Sequence, residues 1–237
     1  GKTTLMRVIG GLVAPDAGAA RVFGRPGTAL GAAERRRIGY LPQGAGLYEE
    51  LSLGENLTLH ADLRGVAGPE RRARIEDLLE RMGLAPFWTR PAGKLSGGMK
   101  QKLGLACALV EPPRLLLLDE PSMGVDPLSR RELWEIVRGL VADGLTVLWS
   151  TAYLDEAAGC DRVVVLAGGR KLYEGAPDAF TARVEGRTAR LEAPGADMRA
   201  LQRRAIAAGR VVDAVLRAGH LHLVTAGEIG AAGPSDL

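Results

Sequence analysis

Hydrophobic and polar residues follow two different periods along this chain, and each change of period marks a predicted element. Short apolar runs bounded by turn residues are typical of buried strands, whereas apolar residues three or four positions apart are typical of helices. Leu115 to Leu118 is a run of the first kind. Ile75, Leu78, Leu79 and Met82 recur with the second spacing.

Strands and helices are predicted to alternate over the first 180 residues. The predicted strands are residues 20–23, 37–41, 114–118 and 145–149, and the predicted helices are residues 2–9, 97–110 and 128–142, with a helical stretch at residues 53–83. Such alternation favours a parallel sheet covered by helices on both faces. Gly168-Gly169, flanked by predicted strands at residues 162–166 and 170–173, predicts an antiparallel hairpin.

The pattern changes after about residue 180. A strand at residues 189–191, a helix at 198–208 and a hairpin of 211–216 with 220–224 indicate a small α+β appendage. We therefore expect one α/β domain over residues 1–180 and an appendage or linker over residues 181–237.

Composition and charge narrow the possible partners and location. Hydrophobic residues make up 46% of the chain, and a formal net charge of +3 with dispersed arginines gives no basic stripe. Nucleic acid is therefore not an expected partner. No apolar run reaches the roughly 18 residues of a membrane helix, and we expect no signal peptide. Cys107 and Cys160 are expected to be reduced core residues, which indicates a cytoplasmic protein.

Gly1-Lys2-Thr3-Thr4 opens the first predicted helix. It matches the end of the phosphate-binding pattern G-x-x-x-x-G-K-[ST]. In that loop backbone N–H groups surround the phosphates, the lysine reaches the β/γ oxygens and the hydroxyl binds Mg²⁺. By itself a terminal GKTT could also be an exposed chain start.

Asp119 and Glu120 follow a predicted buried strand. The carboxyl ends of such strands form the edge where ligands bind in open α/β sheets. We expect Asp119 to hold Mg²⁺, directly or through water, and Glu120 to polarise an attacking water. The alternative is a strand that ends in two solvated acids.

Ser96, Gly97 and Gly98 stand at the start of a predicted helix. They offer a hydroxyl and unobstructed backbone amides, which is the chemistry of an anion site at a helix terminus. An ordinary capped helix has the same pattern. The position of these three residues, about 20 residues before the strand that leads to Asp119, favours the anion site.

Together these motifs resemble the ATP-binding cassette (ABC) proteins. Terminal GKTT, Gln43 after a strand, LSGGMKQ from Leu95, LLLLDEP from Leu115 and the GVDP that contains Asp126 occur in that family's order over roughly residues 1–180. The resemblance implies a P-loop NTPase fold, with a RecA-like parallel sheet and a helical subdomain at about residues 53–105. It also implies ATP hydrolysis with ATP and Mg²⁺ as cofactors.

The resemblance implies a role for each motif residue. Glu120, Gln43 and Lys2 would be catalytic, and Thr3, Gln43 and Asp119 would contact Mg²⁺. In this family two domains pair head to tail, so that the serine and glycines of LSGGMKQ touch the other domain's ATP and Asp126 links the two sites. The implied nucleotide contacts are Gly1, Lys2, Thr3, Thr4, Gln43, Ser96, Gly97, Gly98, Asp119 and Asp126.

Residues 103–110, 121–131 and 150–157 resemble the drug-exporting, ABC-2 type branch, and most closely the first of two tandem cassettes in its fused subunits. The resemblance implies an efflux ATPase on the inner face of the cell membrane. Its partners would be a second ABC ATPase domain and an ABC-2 type permease, received near Leu47 to Asn56. Two alternatives are a soluble ABC protein that acts on ribosomes or DNA and a regulatory pseudo-ATPase.

The chain departs from the family pattern in two places. Ala152 stands where the family usually has a histidine that holds the γ-phosphate, so the site is either degenerate or one half of an asymmetric pair. The resembling tandem proteins also carry alanine, which favours the asymmetric pair, and His60, His220 and His222 are expected to be surface or packing residues. The second departure is a phosphate loop cut at Gly1, from which we expect weak ATP binding by these 237 residues alone.

Overall fold

The computed structural model describes residues 1–193, 195–217, 219–227 and 229. They form two compact units, Gly1–Glu156 and Ala157–Leu237. The helices are α1 (Lys2–Ile9), α2 (Ala32–Arg36), α3 (Leu53–Leu63), α4 (Gly68–Met82), α5 (Gly97–Leu109), α6 (Pro127–Ala142), α7 (Leu154–Ala158), α8 (Pro177–Thr181) and α9 (Met198–Ala207). The strands are β1 (Arg21–Val22), β2 (Arg25–Pro26), β3 (Ile38–Leu41), β4 (Leu115–Asp119), β5 (Thr146–Ser150), β6 (Val163–Ala167), β7 (Arg170–Gly175), β8 (Thr188–Leu191), β9 (Val211–Arg217) and β10 (His220–Thr225).

A parallel sheet in the order β3-β4-β5 forms the centre of the first unit. Leu116, Leu117 and Leu118 of the middle strand are fully buried. A strand covered on both faces needs an unbroken apolar run rather than alternation. The predicted parallel sheet is therefore confirmed.

Successive side chains of β4 point to opposite faces of the sheet. Leu116 and Leu118 belong to a large apolar core with residues of α3, α4, α5 and α6. Leu117 belongs to a second core with Met6 of α1 and Ile38 of β3. Because α1 packs on this second face, its first residues lie at the carboxyl edge of β4.

Two helices, α3 and α4, occupy the predicted helical stretch at residues 53–83. The first begins at Ser52, whose hydroxyl accepts a hydrogen bond from the Glu55 N–H at 3.2 Å, while the Glu55 carboxylate accepts one from the Ser52 N–H at 2.7 Å. This reciprocal capping satisfies two helix-terminal donors and lowers the pKa of Glu55. Gly65, at φ 69°, lies in the turn between the two helices.

The second unit contains an antiparallel hairpin, β6 with β7, and a three-stranded antiparallel sheet in the order β8-β10-β9. Leu201 of α9 packs against Leu221 and Leu223 of β10. The hairpin at Gly168-Gly169 and the α+β pattern after residue 180 are thus present. The domain boundary near residue 180 remains a prediction.

Neither the short helix α2 nor the strand β2 was predicted. Each is too short to show a hydrophobic period, and α2 depends on a local bond from the Gly31 N–H to the Glu34 carboxylate at 3.1 Å. Cys107 is a buried free thiol, and burial raises its pKa to about 12. Cys160 is partly exposed. Within the described ranges no helix has both the length and the apolar character needed to cross a bilayer.

Candidate functional site

Lys2 joins three segments of the first unit. Its Nζ lies 2.9 Å from Glu120 Oε1, and it donates a hydrogen bond of 2.9 Å to the Thr151 carbonyl. The first turn of α1, the residue after β4 and the loop after β5 therefore meet at one ammonium group. The side chains of Lys2 and Glu120 are 34% and 20% exposed, so a ligand can reach both.

Asp119, at the end of β4, is a buried carboxylate that accepts hydrogen bonds from three neutral hydroxyl groups. Its Oδ1 accepts bonds from Ser150 Oγ at 2.8 Å and from Thr3 Oγ1 at 3.2 Å. Its Oδ2 accepts a longer bond of 3.4 Å from the Tyr40 hydroxyl. Burial raises the pKa of Tyr40, and the nearby Asp119 charge raises it further, so the phenol remains a donor near neutral pH. A buried carboxylate needs such partners to stay charged.

Glu120 adopts a backbone conformation that is uncommon for residues other than glycine. Its φ is 50°, and its N–H donates to the carbonyl of Ser150 at 3.1 Å and to the hydroxyl of Ser150 at 3.0 Å. Left-handed backbone at a residue with a side chain is concentrated at functional sites, where the surroundings hold it in place. Here it follows β4 directly, and the Glu120 carboxylate pairs with the Lys2 ammonium.

A second group of the predicted residues lies at the starts of α5 and α6. Ser96 caps α5 by accepting a bond from the Met99 N–H at 3.3 Å. Asp126 caps α6, and hydrogen bonds from the backbone N–H and side chain of Ser129 lower the pKa of its carboxyl group. In the part of the chain that the structure describes, no hydrogen bond or ion pair joins Ser96 or Asp126 to Lys2.

Gly98 lets the two helix starts approach each other. A Cβ at this position would lie 2.4 Å from the Ser129 Cβ, whereas one at Gly97 would lie 3.4 Å from its nearest neighbour, the Gly124 carbonyl oxygen. The first distance requires that the packing shift, and the second is at the edge of ordinary contact. Of these two glycines, only Gly98 is therefore required by the space available.

We expect Gly98→Ala to lower the stability of the protein by about 1–3 kcal/mol, because overpacking forces backbone and side chains apart. The midpoint of thermal unfolding should fall by roughly 3–10 °C. Gly97→Ala is the matched control, since it adds the same methyl group at the neighbouring position and should change the midpoint by less than about 2 °C. Equal shifts in the two variants would contradict the proposed contact with Ser129.

Gln43 and Ala152 lie outside both groups of hydrogen-bonded site residues. The exposed Gln43 donates from Nε2 to the Met123 sulfur at 3.2 Å. A contact between Gln43 and a metal therefore stays a prediction. Ala152 is exposed in the loop after β5, next to the Thr151 carbonyl that accepts from Lys2.

Sequence reasoning missed the hydroxyl groups of Tyr40 and Ser150 and the Glu156 carboxylate. Glu156 is buried and accepts hydrogen bonds from Thr151 Oγ1 at 2.5 Å and Trp149 Nε1 at 3.1 Å. It thereby fixes the loop that offers its carbonyl to Lys2. A polar residue directly after a predicted buried strand, residues 145–149, was the signal that could have identified Ser150.

The donor set at Asp119 fits Mg²⁺ that is shared with a phosphate ligand. Thr3 and Asp119 offer oxygen atoms, which Mg²⁺ prefers, and the two side chains already lie within 3.2 Å. Among the described residues no group of three or more His, Cys, Asp or Glu side chains converges on one point. Mg²⁺ commonly binds through one or two carboxylates together with nucleotide phosphates and water.

Comparisons with known proteins find relatives that are named as ATP-binding proteins. The Escherichia coli (strain K12) protein named "Probable multidrug ABC transporter ATP-binding protein YbhF" is 48% identical over 237 residues, which are 100% of this chain and 40% of that protein. The "Daunorubicin resistance ATP-binding protein DrrA3" of Streptomyces coeruleorubidus is 44% identical over 187 residues, which are 78% of this chain and 59% of that protein. The chain therefore spans less than two thirds of these curated relatives.

A solved structure supports the same fold. It is a dimeric post-hydrolysis state of the ATP-binding cassette MJ0796 bound to ADP and Pi, with a TM-score of 0.67 and 27% identity, covering 75% of this chain and 81% of that chain. The predicted α/β, P-loop NTPase fold is confirmed. Residues 1–123, from the helix that carries Lys2 through Glu120, match the family described as ABC transporter. This chain belongs to the ABC transporter family.

Proposed function

We propose that this chain is the ATP-binding and ATP-hydrolysing motor of an ABC-2 type efflux transporter. One observation carries the proposal: the Lys2 ammonium lies 2.9 Å from the Glu120 carboxylate, and the Thr3 and Asp119 side chains meet beside them. A cation, a carboxylate and a pair of metal-binding oxygens at one helix start suit phosphoryl transfer. The relatives named for multidrug transport and daunorubicin resistance support export as its purpose.

Each residue of the site has a separate task in this proposal. The first backbone N–H groups of α1 and the Lys2 ammonium bind the phosphate oxygens. Thr3 and Asp119 hold Mg²⁺, which neutralises phosphate charge when it is bound. Glu120 orients the attacking water and accepts its proton. A phosphate that attracts Lys2 also draws it away from Glu120, so ATP binding frees the carboxylate for its task.

A second ABC ATPase domain completes the site in this proposal. Ser96, Gly97 and Gly98 at the start of α5 contact the ATP of the opposite domain, and Asp126 connects the two sites. The dimeric state of MJ0796 with ADP and Pi supports such a pair. ATP binding closes the pair and hydrolysis reopens it. A tandem arrangement, with a second cassette in the same polypeptide, would supply this partner.

Ala152 gives the proposed pair an asymmetry. An alanine methyl group cannot hydrogen-bond a γ-phosphate, so this site hydrolyses ATP more slowly than one with a histidine in the same loop. The opposite domain would provide the faster site. The structure is compatible with that role because Lys2, Glu120 and the Thr151 carbonyl remain connected beside Ala152.

The permease would dock at the groove beside α3. One depression of about 390 Å³ is lined by residues of the 47–56 region together with Thr58, Trp88 and Thr89, and an adjoining one of about 840 Å³ shares Thr58 and Trp88. Trp88 is 42% exposed in this wall. Large exposed aromatic residues are typical anchors of protein interfaces. We propose that this groove receives a cytoplasmic helix of the permease, which places the chain on the inner face of the membrane.

We expect Trp88→Ala to reduce the amount of permease that co-purifies with the full-length protein at least about tenfold, since interface anchors typically contribute 2 kcal/mol or more. ATP hydrolysis by the protein without permease should change less than about twofold. Leu63→Ala is the control, because Leu63 is a 69% exposed apolar residue at the end of the same helix, α3. Equal retention of permease by both variants would contradict docking at this groove.

The nature of the co-purifying partner separates the main proposal from its alternative. An integral membrane protein recovered in stoichiometric amount supports the transporter motor. Ribosomes or DNA recovered instead would favour a soluble ABC protein. Phosphate release by the protein together with its co-purified partner, measured in the same preparation, tests the proposed ATP hydrolysis. The formal charge of +3 provides little attraction to nucleic acid.

A further inference from the structure

We propose that Ser150 is a positioning residue that holds both carboxylates of the site, Asp119 and Glu120, through one hydroxyl group. The inference rests on the proposed ATP hydrolysis at this site. Ser150 is the last residue of β5 and only 9% exposed. Its Oγ donates to Asp119 Oδ1 at 2.8 Å and accepts from the Glu120 N–H at 3.0 Å.

The strand register brings these groups together. Asp119 and Ser150 are directly paired residues of the parallel strands β4 and β5. A serine hydroxyl has one proton to donate and two lone pairs that accept. When its proton points to Asp119, a lone pair remains for the N–H of Glu120. The two bonds therefore support one another instead of competing.

The bond to Asp119 restricts the direction of the carboxylate. Of the three hydroxyl groups that donate to it, Ser150 lies at 2.8 Å, Thr3 at 3.2 Å and Tyr40 at 3.4 Å. Thr3 is also a proposed Mg²⁺ ligand, and its hydroxyl can turn a lone pair toward the ion while its proton stays on Asp119. Ser150 is the closest of the three donors and is not itself a proposed metal ligand, so it is the one that we assign to keeping Asp119 in place.

The bond to Glu120 acts on the backbone. A φ of 50° is unfavourable for a residue with a side chain, and the surroundings must hold it. The Glu120 N–H is held by two acceptors of one residue, the Ser150 carbonyl at 3.1 Å and the Ser150 hydroxyl at 3.0 Å. Loss of the hydroxyl would leave one of these two bonds. The Glu120 backbone, and with it the orientation of the carboxylate that pairs with Lys2, would then be less restricted.

The test compares Ser150→Ala with Ser150→Thr in the full-length protein. Mn²⁺ replaces Mg²⁺ as a paramagnetic probe, and its affinity in the presence of ADP is measured by electron paramagnetic resonance. We expect Ser150→Ala to weaken Mn²⁺ binding about tenfold, in line with the loss of other partners of metal-binding residues. The kcat for phosphate release should fall by at least the same factor, with a smaller change in the KM for ATP.

Three variants separate positioning from general destabilisation. Ser150→Thr keeps a hydroxyl on the same carbon and should recover most of the Mn²⁺ affinity. Tyr40→Phe removes the more distant donor and should weaken binding less than Ser150→Ala. Val137→Ala removes the two γ-methyl groups of a side chain in the apolar core between α6 and the sheet. Because Val137 is not a proposed metal ligand, this variant should lower stability while leaving Mn²⁺ affinity unchanged.

Either of two results would overturn the inference. The first is a Ser150→Ala protein that binds Mn²⁺ within about twofold of the parent and keeps its kcat. The second is a Val137→Ala protein that loses as much Mn²⁺ affinity as Ser150→Ala, which would show a purely structural effect. Failure of the proposed function has another signature, namely a parent protein that releases no phosphate from ATP.

Discussion

Replacement of Glu120 by glutamine is expected to reduce ATP hydrolysis by at least about 100-fold, because a positioned general base typically contributes a factor of 10² to 10⁴. ATP binding should not weaken. The carboxylate now pairs with the Lys2 ammonium at 2.9 Å, and a neutral amide would leave that ammonium free for the phosphates. Phosphate release and the Kd for a fluorescent ATP analogue, both measured on the full-length protein, provide the two readouts.

Glu132→Gln is the matched control for this change. Glu132 is an α6 carboxylate that forms an ion pair with Lys102 at 2.6 Å, and its replacement makes the same chemical change away from the site. It should leave both readouts within about twofold of the parent, as surface substitutions usually do. A Glu120→Gln protein with parental turnover would show that another group activates the water, and loss of ATP binding together with turnover would indicate misfolding instead.

Local patterns predicted most of the fold. In two elements the apolar pattern coincides with the buried positions. These are the apolar run that forms β4 and the three- and four-residue spacing of Ile75, Leu78, Leu79 and Met82 in α4. Their period identifies the element without knowledge of its neighbours. Helix α2 has five residues, none of them buried, and therefore shows no apolar period. It begins at a hydrogen bond from the Gly31 N–H to the Glu34 carboxylate. Elements of this size depend on single contacts and cannot be identified from the period of apolar residues.

The candidate site was predicted in part, and the difference lies in how each residue acts. Short motifs of consecutive residues contain Lys2, Asp119 and Glu120, so the sequence itself indicates their chemistry. The structure brings these three together with Thr3. Their precise roles in hydrolysis remain predictions, and so do those of Ser96, Gly98 and Asp126 at the second group.

Supporting residues could not be identified in the same way. Ser150 acts through the strand register that pairs it with Asp119, and Tyr40 reaches the same carboxylate from β3. Both contacts join residues that are far apart in the sequence and have no shared motif. The left-handed backbone of Glu120 is likewise invisible, because glutamate has no sequence preference for it. Long-range registers and backbone conformations therefore have to come from the structure.

Replacement of Lys2 by methionine is the second change for which we expect a large effect. Methionine retains an unbranched apolar side chain but removes the ammonium, and charged hydrogen bonds of this kind typically contribute about 1.5–3 kcal/mol. The Kd for ATP should therefore rise roughly 10- to 100-fold, and hydrolysis should fall further because the phosphoryl charge loses its cation. Titration of the full-length protein with a fluorescent ATP analogue measures the first effect, and phosphate release measures the second.

In the protein without nucleotide, the Lys2 ammonium joins the Glu120 carboxylate to the Thr151 carbonyl. Its loss is expected to change the midpoint of thermal unfolding little, since a partly exposed ion pair contributes about 0–1 kcal/mol. Lys2→Arg keeps the charge but presents a planar, longer group that cannot take the same place at a compact phosphate site, so it should not restore hydrolysis. Lys171→Met removes an exposed ammonium paired with Glu174 and should leave ATP binding unchanged. If Lys2→Met and Lys171→Met bind ATP with the same affinity, then Lys2 does not bind the phosphates, and the start of α1 is not the nucleotide site.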